Sequence, residues 1–332
     1  MRIKTRIVAS AALVGSVALG GCGDLLEVEN PNNVTEDAVQ RLQGAAALVN
    51  GAEARGFAAV SQVWLPYLTV SDDLIWGDDG SRDAWGSLDE GQIADPLNEF
   101  IDAYFPTVAQ ARWMADEAVA QLEGHVANNP GDADLEALLA RAQFNKGLVY
   151  LVIGETMDQF AFSDKEVEGE IIASADFPTQ IFDPAIAAFT AAVGDAAIGL
   201  EAQAMLARAI QSKAIRAKVQ PTPNTADPLV NDAAANAAAA AVIAAADADW
   251  KWNANYSAAT ITNTMASWVN SRREPLIAPS VLGLTDPVDA ADSTAFQQVA
   301  AFNVASDDFT PLTLTSSRQM HLILAEAALA AG

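Results

Sequence analysis

The sequence predicts an all-α protein, and three observations carry that expectation. Residues 92–123 and 133–156 repeat apolar side chains at helical spacing, and the turn Asn128-Asn129-Pro130-Gly131-Asp132 parts them. A second helical pair follows near 182–197 and 201–219. Residues 228–247 are rich in alanine, which favours a further helix by propensity alone. Long helices joined by tight turns pack as antiparallel hairpins, so the expected architecture is helix upon helix.

Taken in order, the chain opens on a basic and then apolar leader. Arg2, Lys4 and Arg6 precede the run Ile7 to Leu19, which falls short of the roughly 20 residues that a membrane-spanning helix needs. Leu19-Gly20-Gly21-Cys22 closes the run, and small residues before the cysteine give a signal peptidase access to the backbone. Cys22 is the only cysteine in the chain and stands where the sequence turns acidic. Lipidation explains that position better than a free, oxidisable thiol does; the competing reading is an ordinary secretory signal. The expected processing removes residues 1–21, attaches a thioether-linked lipid to Cys22 and acylates the new amino terminus. Two or more chains anchor stably, at roughly 0.8 kcal/mol per buried methylene. Gly23 rather than aspartate follows Cys22, which is compatible with outer-membrane sorting.

Residues 22–34 form the expected lipidated tether, with Asn30-Pro31-Asn32-Asn33 as turn chemistry. Thr35 then caps a helix expected to reach about Gly51, with acids in its first turn. Residues 57–91 mix Trp64, Tyr67, Trp76 and Trp85 with aspartates and glycines. The part up to about Leu68 reads as helical and the rest as a loop. Residues 157–181 read as irregular. Phe182, Ile186, Phe189, Val193 and Ala197 restore helical spacing, and Pro221-Thr222-Pro223-Asn224 ends the second pair. Residues 250–315 read as mostly non-helical, with Trp250, Trp252, Tyr256 and Trp268 concentrated early and several prolines later. Ser316 to Leu329 reads as a final capped helix.

The chain has 332 residues and a formal net charge of −25, and the leader holds bases but no acids. Such a surface argues against nucleic acid and against docking on anionic lipid, though not against a covalent anchor. Trp76 and Trp85 are the candidate ligand-stacking faces, because an indole packs on the apolar face of a sugar ring. Asp78, Asp79 and Arg82 lie beside them and are candidates to bond hydroxyl groups. The competing reading is that the tryptophans pin this loop to the core, where tryptophan is usually mostly buried. Trp64 and Tyr67 are expected in the core, and Trp250, Trp252, Tyr256 and Trp268 offer a second wall. Asp78-Asp79-Gly80-Ser81-Arg82-Asp83 lacks the closing glutamate of a calcium loop, so a solvated turn and no metal are expected. His125 and His321 stand in no metal-ligand spacing. No nucleophile elbow, phosphate-cradling loop or zinc motif is present, so neither enzymatic activity nor a cofactor is expected.

In their order, these parts resemble the SusD/RagB family of outer-membrane nutrient-binding lipoproteins. The carrying residues are Cys22 followed by Asp24-Leu25-Leu26-Glu27-Val28-Glu29-Asn30-Pro31, then Arg141-Ala142-Gln143-Phe144-Asn145-Lys146-Gly147 through Gly154-Glu155. The paired helices from Phe182 to Val219 and the segment Arg318 to Ala327 complete the series. The resemblance implies a tetratricopeptide-like helical repeat, an alpha-alpha superhelix, with irregular loop-rich segments that carry the ligand site over 35–332. It implies a lipid-anchored, surface-exposed outer-membrane protein that binds an oligosaccharide or peptide and hands it to a TonB-dependent transporter. Family members continue past the late helix motif, so the resemblance also implies a C-terminally short chain. The alternative is an envelope scaffold of helical repeats that binds no small ligand.

Overall fold

Side-chain caps open four of the helices. In the computed structural model, which describes residues 41–77, 83–93, 95, 97–164, 167–278 and 307–332, Asn98 Oδ1 accepts from the backbone N–H of Phe100 at 3.0 Å and opens a helix at Glu99. Asp132 does the same for Asp134 and Leu135, at 3.1 and 3.2 Å, and Asp232 for Ala234 and Ala235, at 2.8 and 3.0 Å. Ser316 Oγ accepts from Gln319 N–H at 3.3 Å. Each satisfies donors that a helix start otherwise leaves unpaired. Gly131, at φ +82°, supplies the left-handed residue of the tight turn before Asp132.

The chain is mostly helical, consistent with the all-α class, with a few short strands. Residues 44–332 make one compact unit, and residues 1–43 are a separate one. The leader, the tether, Cys22 and Thr35 lie outside the described residues. Within the larger unit the helices are α1 (Ala45–Val70), α2 (Asp83–Asp89), α3 (Glu99–Asn128) and α4 (Ala133–Thr156). They continue as α5 (Asp183–Ala192), α6 (Gly199–Val219), α7 (Ala233–Ala245) and α8 (Ser317–Ala331). From α3 to α8 each helix packs on its neighbours in sequence, and α1 lies on both α3 and α4.

The stretch after Leu68 that reads as a loop holds the short helix α2, and two helix boundaries differ most from expectation. The helix expected to end near Gly51 instead continues to Val70, because Ala52, Phe57, Val60 and Val63 extend its buried face. The cost of an internal glycine, about 1 kcal/mol, is small against that burial. The helix expected from residue 92 starts only at Glu99, where Asn98 turns the chain and also donates to the carbonyl of Ala84 at 2.9 Å.

The main core lies between α1, α3, α4, α5 and part of α6. Gly147 and Gly154 on α4 let the phenylalanines of the next element approach. A β-carbon at Gly147 would meet the Phe189 ring at 2.8 Å, and one at Gly154 would meet the Phe182 ring at 2.7 Å. Both rings are fully buried and have nowhere to retreat. Gly154→Ala is therefore expected to lower stability by about 1–3 kcal/mol through overpacking, read as a lower midpoint of chemical unfolding. A second, alanine-lined cluster joins α6, α7 and α8 through Ala204, Ala235, Ala239, Met320 and Ile323.

The irregular segments are tied down by buried arginines. Arg216 donates to the carbonyls of Gly154 and Met157, at 3.2 and 3.1 Å, and to Ser174 Oγ at 2.6 Å. A cation at the carbonyl-rich end of α4 is electrostatically favourable. Arg112 donates to the carbonyl of Ser163 and lies over the Phe162 ring at 4.9 Å. Three short antiparallel pairs complete the framework: β1 (Leu74–Trp76), β2 (Phe160–Ala161), β3 (Ile171–Ile172), β4 (Lys251–Ala254), β5 (Pro275–Ile277) and β6 (Leu312–Ser316) join as β1–β5, β2–β3 and β4–β6. Among the described residues no helix is long and apolar enough to cross a membrane.

Candidate ligand-binding site

The aromatic loop singled out in the sequence is divided by the structure. Trp85, on α2, is 0 % exposed. Its ring stacks on Phe100 with centroids 3.7 Å apart and meets the edge of Trp268 at 5.3 Å. Its Nε1–H donates to Glu274 Oε2 at 3.1 Å. With its surface covered, this indole presents no face to a sugar, and the ligand-stacking expectation for Trp85 is corrected to a core role. Trp76 is half-buried on β1 opposite Pro275, where its ring lies against Gly86; a β-carbon there would sit 3.1 Å from it. Asp78, Asp79 and Arg82 lie outside the described residues.

The second group of aromatic residues is divided as well. Trp268 joins the Trp85 cluster, and Trp250 packs on the alanine-lined cluster. Tyr67, expected in the core, is 54 % exposed, while Trp64 packs partly buried against the core. Trp252 and Tyr256 come together on the wall of one pocket of about 390 Å³. A size of that order suits a small organic ligand.

Four distant parts of the chain build this pocket: α1, α4, the start of α6 and the segment from β4 onward. The β4–β6 pairing shifts register between Trp252 and Asn253, and a bulge of this kind re-aims side chains. Trp252 then meets Phe57 of α1 at 6.0 Å and Phe144 of α4 at 4.8 Å, both edge-on. Tyr256 lies 6.1 Å from Phe57, and its hydroxyl donates to the Phe57 carbonyl at 2.9 Å. Burial pushes the Tyr256 phenol well above its ordinary pKa, so it stays neutral. The aromatic wall is thereby fixed, with Trp252 only half-buried and partly open to the pocket.

Most of the remaining lining is polar. Arg141 pairs with Glu53 at 2.7 Å and donates to Asn50 Oδ1 at 3.0 Å. Asn253 accepts from Thr313 Oγ1 at 2.8 Å. Glu201, half-buried in the first turn of α6, and the exposed Asn255 also face the pocket. Asn145 lines it too; it is 2 % exposed, and its Nδ2 has no hydrogen-bond partner among the described residues. Leaving a buried donor unsatisfied costs about 1–3 kcal/mol, which an acceptor reached by a small turn of the side chain toward the pocket would relieve.

A larger hollow of about 670 Å³ lies between α1 and α3, beside Pro66, Tyr67, Phe105 and Met157. Its lining is chiefly apolar, with Asp102, Asp158 and Gln159 as its charged and amide side chains. Among the described residues no group of three or more histidines, cysteines or acids is placed to hold a metal.

Trp252 and Tyr256 stand out in the sequence, but no local pattern joins them to Phe57, Phe144, Glu53 or Glu201, which lie far away in the chain. Arg141 and Asn145 fall within the segment Arg141 to Glu155. No family model matches the chain, and a search of curated proteins finds no match to it.

Proposed function

We propose that the chain is an outer-membrane lipoprotein, anchored through Cys22, that binds an oligosaccharide or peptide and delivers it to a TonB-dependent transporter without chemically altering it. The observation that carries this reading is the Trp252 pocket: a fixed aromatic wall facing carboxylate and amide groups. Aromatic rings take the apolar faces of a sugar or peptide while the polar side takes hydroxyl and amide groups. The consecutive packing of the long helices supports a tetratricopeptide-like array, whose outer faces would meet the transporter. The ordered segments from Cys22 to Ala327 that resemble SusD/RagB proteins supply the cellular setting. Trp76, with Asp78, Asp79 and Arg82, is then a secondary contact for a longer ligand.

Capture of the protein from detergent-solubilised outer membranes tests the partner, and calorimetry with short glycans and peptides tests the ligand. The expected result is co-purification of a large β-barrel and saturable binding. Trp252→Ala is expected to weaken that binding at least tenfold, about 1.4 kcal/mol, with the barrel still captured. Capture of envelope proteins other than a barrel, with no saturable binding of any probe, would establish the scaffold alternative instead.

A further inference from the structure

The charges of the Trp252 pocket do not cancel. Arg141 is the cation on its wall, and its guanidinium is already engaged by Glu53 and Asn50. Glu201 has no ion-pair partner among the described residues, and it faces the same space as the half-buried indole of Trp252. A carboxylate beside an aromatic ring in a partly dehydrated pocket favours a cation twice over, by direct attraction and through the ring's negative face. Asn145, buried and with an unpartnered Nδ2, adds a donor that seeks an oxygen.

Deepening the binding reading, and resting on it, we infer that the pocket selects ligands that carry a protonated amine close to an oxygen acceptor, with Glu201 as the ion-pair partner of the amine. Two kinds of molecule offer that pair of groups: an amino sugar, with its ammonium beside a hydroxyl, and the free N-terminus of a short peptide, with its ammonium beside a carbonyl. A neutral glycan offers the oxygen but leaves Glu201 dehydrated without compensation.

The other titratable groups on the pocket wall are Glu53, Arg141 and Tyr256. Glu53 is held by Arg141, and burial keeps the Tyr256 phenol protonated to high pH. A loss of binding between about pH 6 and about pH 10 therefore reports the ligand's own amine, whose charge disappears in that window.

Titration calorimetry on the wild-type protein compares a glucosamine tetramer with its fully N-acetylated form, and trialanine with N-acetyl-trialanine. The expected result is a preference of at least tenfold for the free amine in one or both pairs at about pH 6, lost at about pH 10. The pair that shows the preference identifies the source of the amine. In Glu201→Gln the ratio of the two affinities is expected to fall to about one. Equal affinity for the free and acetylated members in the wild-type protein overturns the inference and leaves nutrient binding standing. A preference that survives at about pH 10, or in Glu201→Gln, overturns the assignment of Glu201. Failure of all four probes to bind, together with failure of neutral glycans, overturns both the inference and the binding reading of this pocket.

Discussion

Trp85→Ala is expected to destabilise the folded protein by about 3–5 kcal/mol, the range for excising a large buried aromatic side chain. The indole is wholly enclosed, with Phe100 stacked on it and Trp268 against its edge. Its loss opens a cavity in the one place where α2, the start of α3 and the wide helical turn Ser267–Arg272 meet. It also removes the donor that engages Glu274. The β1–β5 pairing ties the chain just before α2 to the chain just after Ser267–Arg272, which limits how far the cavity can collapse. Chemical unfolding followed by far-ultraviolet dichroism measures the effect. Trp76→Ala, at a half-buried position, is expected to cost clearly less. A nearly neutral Trp85→Ala would mean that the ring is solvent-facing in solution and would return it to the candidate ligand faces.

The second large effect is expected at Glu155. Arg208 reaches it with two donors, Nε at 2.9 Å and Nη2 at 2.6 Å, and sends Nη1 to the carbonyl of Leu314 at 2.6 Å. Its guanidinium lies 5.7 Å from the Trp64 ring. Ser212 donates to the same carboxylate at 2.7 Å. Burial pulls the Arg208 pKa down, but the charge and hydrogen bonds of Glu155 outweigh it and the net shift is upward. Glu155→Leu leaves that guanidinium enclosed without its counter-charge, which costs about 3–5 kcal/mol at buried pairs. The double change Glu155→Leu with Arg208→Met is expected to recover much of the loss, because the uncompensated charge is then gone. Unfolding free energies of the four proteins in the cycle measure the coupling. Simple additivity would show that the pair is solvated rather than enclosed.

Helix positions were largely legible because they depend on local spacing and on caps. The turn before Asp132, the pair Asp183–Ala192 and Gly199–Val219, and the cap at Ser316 all stand near where periodicity and turn chemistry put them. The merger of two expected segments into α1 was not legible, because Gly51 and Pro66 are local breakers whose cost is outweighed by burial against α3 and α4. The roles of the segment from Arg141 to Glu155 became clear only in three dimensions. Arg141 and Asn145 serve the pocket, Gly147 and Gly154 admit phenylalanine rings, and Glu155 holds Arg208.

Aromatic residues were the harder case. A tryptophan among glycines and aspartates has the same one-dimensional context whether it is a lid for a ligand or a wedge in the core. Trp85 and Trp252 differ only in what the rest of the chain brings to them: Phe100 and Trp268 close over the first, whereas Phe57 and Phe144 support the second and leave part of it open. The sequence by itself determined the helical class, the capped starts of α4 and α8 and the acidic charge, since these follow from spacing, capping and composition within a few turns of chain. Only the tertiary structure decided which aromatic residues are covered and which acid lines the pocket without an ion-pair partner among the described residues. Burial and pairing are set by contacts between residues far apart in the chain, and no local pattern records them.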